Sequence, residues 1–350
     1  DFTAHDYYSY CTHITLTGSD NRYAGETAPG QCACCTPGMP APLEGTVASW
    51  RGANARLLTQ ARHVFTPSHD TERRIAAFAP AARVLAVPHT DMAADTLQPE
   101  PVPHPLPEGR PLKIAVLGAL SAIKGADVLE AAALEAARQQ APLEFHLLGY
   151  GYRHLQTQPR ARLTVHGAYQ DEDLPGLLAW LQPDIVWFPA LWPETYSYTL
   201  SAALQAGLPV AVPDIGAFAE RVAGRPWSWI NPWDQTGAQW VEYFTRLRNE
   251  QFASALAPDV PVAPPAQPRA PWHYRHDYLA GAHPAPPRAT PLILDHATLA
   301  HYQPQPAAGA AARSGMLSAL AYLRSLPLLR GVARTIPPHW QRRVKNWLKA

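Results

Sequence analysis

Three segments of the chain combine residue types suited to holding a phosphate and a sugar. Residues 118–125, GALSAIKG, pass from an apolar run into a run of helical period, with Lys124 just before the second begins. Glycine lets backbone approach a ligand, a helix N-terminus offers free amides and a positive dipole end, and a lysine adds a full charge. That combination fits a phosphate, although it is neither the Walker pattern nor GxGxxG, and a Lys beside a Gly also occurs as surface decoration. Residues 190–207, ALWPETYSYTLSAALQAG, place Glu194 ahead of a helix with Thr195 and Ser197 as N-cap residue types. The amides of residues 196–198 form a second anion site, and the carboxylate suits sugar hydroxyls; the plainer role for Glu194 is to complement the helix dipole. Residues 212–220, VPDIGAFAE, break between strand and helix at Pro213 and Gly216, with Glu220 reading as an exposed helix residue. Cys32 and Cys35 have the spacing that turns two thiolates toward one zinc, with Cys11 and Cys34 able to complete the site. Buried or free thiols are the commoner outcome and are the expectation here; a zinc would tie down a loop and take no part in chemistry.

These segments need a scaffold, and the pattern supplies one. From residue 112 short apolar runs alternate with helical ones: strands at 112–118, 144–149, 162–167, 184–189 and 209–214, helices at 125–140, 173–181, 196–207, 217–224 and 236–252. Such alternation predicts a parallel sheet covered on both faces, the doubly wound α/β class, whose ligands bind beyond the carboxyl ends of the strands. Upstream, a helix at 52–61, a strand within 63–68, a helix after Ser68 and a strand within 83–89 make a β-α-β unit. Residues 1–50 read as irregular loop with one short strand at 13–17. Proline at nearly every second position in 99–111 excludes helix and central strand and marks a stiff linker. The domains expected are therefore 1–98, a linker 99–111, 112–252, a second Pro-rich linker 253–292 and a helical tail 293–350.

Composition narrows the partners. Lys plus Arg is 29 against 28 for Asp plus Glu, a net charge of +1, so no global field steers the chain onto nucleic acid, and none is expected as a partner. The four cysteines crowd into the first 35 residues, unlike a disulfide framework for a 350-residue chain, and point to a reducing compartment. No run reaches the roughly 18 apolar residues of a membrane span. The chain opens on Asp1 within loop-like sequence, which reads as truncation at the amino terminus.

In order and spacing, GALSAIKG, LLGYG, HGAYQDEDL and the run 188–224, FPALWPETYSYTLSAALQAGLPVAVPDIGAFAERVAG, resemble the nucleotide-sugar half of a retaining GT-B glycosyltransferase of family four. HDYYSYCTHITL, RYAGE, the Cys cluster and FTPSHDTERRI resemble the amino-terminal half of bacterial polysaccharide-building members, and WHYRHDYL at 272–279 loosely follows them. The resemblance implies the GT-B fold, two Rossmann-like domains facing a cleft, here with the amino-terminal one incomplete. It implies transfer of a sugar, with retention, from a nucleotide diphosphate donor to a glycan or lipid-linked acceptor in cytoplasmic cell-surface polysaccharide synthesis. Carried onto this sequence, Lys124 neutralises the diphosphate, Gly118 permits its close approach, and the amides of Tyr196, Ser197 and Tyr198, with Thr195 beside them, hold the distal phosphate. Glu194 bonds the sugar hydroxyls. A turn at Gly149 and Gly151 and the loop of His166, Gly167 and Tyr169 line the nucleotide pocket, and His5 is the nearest candidate for the family's His beside the bond being made. Stabilising the departing phosphate electrostatically requires no divalent metal.

Two positions depart from the family pattern. Residue 202, where the motif has a second Glu that holds ribose, is Ala, and residues 119–123 lack the basic residue that often precedes the Lys. A weakened clamp costs about 2 to 4 kcal/mol of transition-state stabilisation. The alternative reading is a degenerate GT-B module that binds nucleotide or glycan, or scaffolds a larger synthase, without turnover. The tail, with Arg342, Arg343, Lys345 and Lys349 among Leu and Trp, suits either a basic helix lying on anionic lipid or one packing back on the first domain.

Overall fold

The computed structural model describes residues 1–89, 98–262 and 272. The chain divides into two compact units, Asp1–Ala270 and Pro271–Ala350, and the described residues fall in the first apart from Trp272. The tail 293–350, most of the second linker and of the segment 272–279 lie outside the described residues.

The amino-terminal part is built from β1 (Phe2–Thr3), a hairpin of β2 (Glu26–Ala28) and β3 (Gln31–Cys32), α1 (Val47–Gln60), β4 (Val64–Thr66), α2 (His69–Phe78) and β5 (Val84–Ala86). Strands β1, β4 and β5 form a three-stranded parallel sheet in that order. Helix α2 starts where Ser68 predicts: the Ser68 hydroxyl accepts from the Thr71 amide at 3.3 Å, and Asp70 and Glu72 sit at the positive dipole end. Helix α1 begins earlier than expected because Thr46 and Ser49 form a reciprocal capping box at its start. No strand forms at 13–17. Ile14 and Leu16 have φ of 65° and 59°, a left-handed backbone that no strand accommodates, and only Thr17 makes an isolated bridge, to Tyr23.

One half-buried cation ties this irregular region to α2. Arg74 donates to Asp70 at 2.8 Å and to the Tyr23 hydroxyl at 3.0 Å, and pairs with Glu26 at 2.9 Å, with Tyr10 also donating to Glu26 at 3.1 Å.

The second part contains β6 (Leu112–Leu120), α3 (Ala126–Gln139), β7 (Leu143–Gly151), β8 (Leu163–Val165), α4 (Leu174–Leu181), β9 (Ile185–Trp187), α5 (Tyr198–Gln205), β10 (Val210–Pro213), α6 (Phe218–Val222), β11 (Ser228–Asn231) and α7 (Gly237–Leu247). The six strands are parallel, in the order β11-β10-β9-β6-β7-β8. Numbered within this sheet, the order is 3-2-1-4-5-6, that of a Rossmann domain. Helices α3 and α7 cover one face over Phe145, Trp187, Trp240 and Phe244, while α4, α5 and α6 cover the other over Leu117, Val186, Leu200 and Phe218. The fold is thus the mixed α/β architecture of parallel sheets that the GT-B resemblance implies. The edge strand β11 was not apparent from sequence. The Pro-rich segment 98–111 is extended as expected but not free of the core: Leu106 is buried against the α7 side, its amide donating to Phe252 at 2.8 Å.

Candidate active site

The chain reverses direction across the sheet between β6 and β9, and the loops leaving those two strands flank the crevice where such sheets bind ligands. The first loop carries Lys124 and the second Glu194. They are fastened together, for the Leu191 amide donates to the Ile123 carbonyl at 2.8 Å. A Cβ on Gly125 would stand 2.0 Å from the Pro189 carbonyl oxygen, so only glycine lets α3 start so close to the end of β9.

Three glycines come together near the carboxyl ends of β6 and β7. Gly118 pairs with Gly149 across β6 and β7, and Gly149 bridges to Gly167. The Gly118 Cα faces the Thr199 methyl and the Tyr169 hydroxyl. The structure therefore gathers Gly118, Gly149, Gly167 and Tyr169 at one place. It corrects the turn expected at Gly149 and Gly151: both lie in β7, which runs on to Gly151 because β6 also continues and pairs with it to Leu120.

Glu194 is 8% exposed. Its backbone is held by the Ala217 amide, which donates to its carbonyl at 2.8 Å, and by Gly216, whose φ of +69° and lack of Cβ admit the Glu194 backbone within van der Waals reach. Burial pushes the carboxyl above its ordinary value, offset in part by the charge of Lys124, by the adjacent Ser197 and Trp192 side chains and by the charge of Arg221. Lys124 itself is exposed. The second cation, Arg221, comes from α6 and was not anticipated from sequence. Its guanidinium donates to the Ser197 carbonyl at 2.7 Å and the Ser201 hydroxyl at 2.9 Å and lies 4.5 Å over the Tyr196 ring. It holds the loop in shape.

Helix α5 begins at Tyr198, and neither expected cap behaves as one. Ser197 occupies the N-cap position without a side-chain cap bond, its hydroxyl lying 3.2 Å from that of Thr199. Thr195 turns away and donates to the His5 carbonyl at 2.6 Å. Tyr196 and Tyr198 pack on His89, at ring distances of 4.6 Å and 5.5 Å, and Tyr198 remains 61% exposed. Ala202 is half-buried on α5, with no carboxylate in place of the family's second Glu.

The amino-terminal part meets this loop directly. His5 follows β1, with its carbonyl on Thr195 and its exposed imidazole 3.7 Å from Asp6. The Tyr7 hydroxyl donates to the Pro193 carbonyl at 2.9 Å, and Glu220 accepts from the amides of His69 and Asp70, each at 2.9 Å. Glu220 is thus a cap on α2, not the free surface acid that its place in the sequence suggests. His166 is placed apart from the glycine surface: its Nε2 lies 3.1 Å from His146 Nδ1 and its ring packs edge-on to Trp180. A cavity of about 230 Å³ bordered by Asp20, Arg22, Asp127 and Thr236 contains none of these candidate residues. The four cysteines do converge, and adjacency does not keep Cys34 from Cys35, whose sulfurs are 3.8 Å apart.

Residues 111–247 match the family model described as Glycosyl transferases group 1, a span running from just before β6 to the end of α7. No curated protein matches the chain. Among solved structures the chain is similar to TarM of S. aureus, at 12% identity with a TM-score of 0.41, covering 62% of this chain and 43% of that one. It is also similar to HepE of Anabaena in complex with UDP, at 15% identity and a TM-score of 0.40, covering 58% and 60%. For sucrose-phosphate synthase of Thermosynechococcus elongatus the figures are 16%, 0.40, 60% and 55%. The chain spans 43% to 60% of the length of these solved chains.

Proposed function

We propose that the protein is a glycosyltransferase that moves a sugar from a nucleotide diphosphate donor to a glycan or lipid-linked acceptor. The observation that carries this reading is the meeting of Lys124 and Glu194 at the switch point of a 3-2-1-4-5-6 sheet, where the lysine charge acts on the buried carboxylate. The span that matches the group 1 glycosyltransferase model contains both residues. In this reading the glycine surface of Gly118 and Gly149 takes the diphosphate at close range, and Lys124 with the amides of Ser197 and Tyr198 gathers the charge that develops as it leaves. Preorganised positive charge of this kind stabilises the transition state more than the ground state. Glu194, pointing the other way in charge, accepts from the sugar hydroxyls. The loop of His5, fixed on Thr195, brings the acceptor to the sugar. Retention of configuration, a reaction without a divalent metal, and a role on the cytoplasmic side in polysaccharide synthesis belong to the same proposal and rest on the family resemblance.

Thermal stabilisation by a panel of nucleoside diphosphates and nucleotide sugars tests it. A ligand at 100 times its dissociation constant adds about 2.7 kcal/mol of stability. One nucleotide is expected to raise Tm in the wild type and to lose that effect in Lys124→Ala. A panel without any shift, or a shift that Lys124→Ala preserves, would remove the donor site from this crevice.

A further inference from the structure

All four cysteines of the chain meet at one point. The sulfurs of Cys11, Cys32, Cys34 and Cys35 lie within 4.8 Å of one another, Cys11 to Cys34 at 3.3 Å and Cys34 to Cys35 at 3.8 Å. All four are free thiols, and those separations far exceed a disulfide bond of about 2.05 Å. Four bonds of about 2.3 Å directed to the corners of a tetrahedron set sulfurs about 3.8 Å apart, which is the spacing of a zinc tetrathiolate. Three of the thiols are buried and Cys34 is half-buried.

The ligands arrive from separate pieces of chain. Cys11 follows the turn that begins at Tyr7, Cys32 ends β3, and Cys34 and Cys35 lie just beyond it. Donors surround the sulfurs: Arg51 donates to Cys32 Sγ at 2.9 Å and the Thr12 hydroxyl is 3.2 Å from Cys35 Sγ. Thiolates bound to a divalent ion carry excess negative charge, and a guanidinium and a hydroxyl placed against them are the outer partners such a site uses. Thiols acting only as small apolar side chains need neither convergence nor a guanidinium. Between β1 and α1 the regular structure of the region they join is the short β2–β3 hairpin.

We propose that Cys11, Cys32, Cys34 and Cys35 bind one zinc ion as a closed structural site. Four protein ligands leave no position for water or substrate, so the ion holds shape and does not react. What it holds reaches the crevice. The Cys11 amide donates to the Tyr7 carbonyl at 2.8 Å, the Tyr7 hydroxyl bonds Pro193, and two residues earlier the His5 carbonyl receives Thr195. The ion fixes the loop that carries His5 against the loop that carries Glu194. The metal assignment stands on the thiols alone and does not depend on the proposed glycosyl transfer.

The test is metal analysis of the full chain, expressed with zinc in the medium and purified without chelator. One zinc per chain is expected, lost in Cys34→Ser and in Cys11→Ser. Reconstitution of the wild type with cobalt is expected to give the intense thiolate-to-cobalt absorption and the visible bands of a tetrahedral tetrathiolate, a readout that needs no variant to fold and no enzymatic activity. Chelation is expected to lower Tm, and added zinc to restore it. A folded wild-type chain without stoichiometric metal, whose four thiols react freely with a disulfide reagent, would overturn the site. So would iron in place of zinc, or an intact mass showing a disulfide between two of the four.

Discussion

A Cβ atom on Gly149 would stand 2.0 Å from the carbonyl oxygen of Gly118. The two residues face each other in the β6–β7 register at the point where the sheet opens into the crevice. With φ of +135° and +96°, both have backbone conformations that side chains rarely adopt. Glycine at both positions is therefore required by the backbone, even before any ligand is considered.

Gly149→Ala is expected to destabilise the chain by about 2–5 kcal/mol, combining backbone strain with a contact that only a shift of β6 can relieve. Gly167→Ala is the control. Its φ of +92° is also left-handed, but nothing lies within 4 Å of the added carbon, so about 1–2 kcal/mol is expected. Urea denaturation of the two variants measures the difference, and equal losses would contradict the close approach.

Glu194→Gln is expected to stabilise the protein near neutral pH while weakening donor binding. Burial raises the folded-state pKa of the carboxyl above its unfolded value. Such a group contributes stability that is fully present below the unfolded value and is lost as pH rises through the folded one. The wild type should therefore give up stability as pH rises above the ordinary glutamate value of about 4.3. The glutamine variant lacks that loss, so the two should converge as pH falls below that value. Tm measured against pH for both proteins checks the sign. A variant less stable at neutral pH and equal at low pH would show that Lys124 and Arg221 outweigh burial.

What the sequence discloses about this molecule follows the strength of its local signals. Strands β6 to β10 and the helices between them are legible because each apolar run is bounded by turn residues and, except between β7 and β8, followed by a helical period. Lys124 and Glu194 are legible for the same reason, since residues after parallel strands face the ligand side. Strand β11 is not: SWIN is short, lies at the sheet edge, and follows Trp227 in a left-handed conformation. Ile14 and Leu16 look apolar and strand-compatible by type, and no local rule marks the positive φ that both adopt. Arg221, His89 and Glu220 join the site by packing across elements distant in sequence, and nothing in their neighbours marks them out.

Glu220 is where the two halves of the described chain test each other. Its two carboxylate oxygens accept the amides of His69 and Asp70, the first turn of α2, each at 2.9 Å. Asp70 is already engaged with Arg73 and Arg74, so it does not cap those amides itself. Burial raises the Glu220 carboxyl, and the two amide bonds act against that shift. Removing the side chain takes away the acceptor of two helix-end amides, a lost cap that costs about 0.5–2 kcal/mol. Glu220→Ala is accordingly expected to lower stability by that amount and to speed hydrogen exchange at the start of α2, while the centre of the six-stranded sheet keeps its protection. The cross-half contact then acts locally, through α2, and a loss of protection spread evenly over β6 and β7 would instead mean that Glu220 supports the whole unit. Donor-induced stabilisation should survive the substitution, because Lys124 and Glu194 both lie in the second half and are fastened by the bond between Leu191 and Ile123.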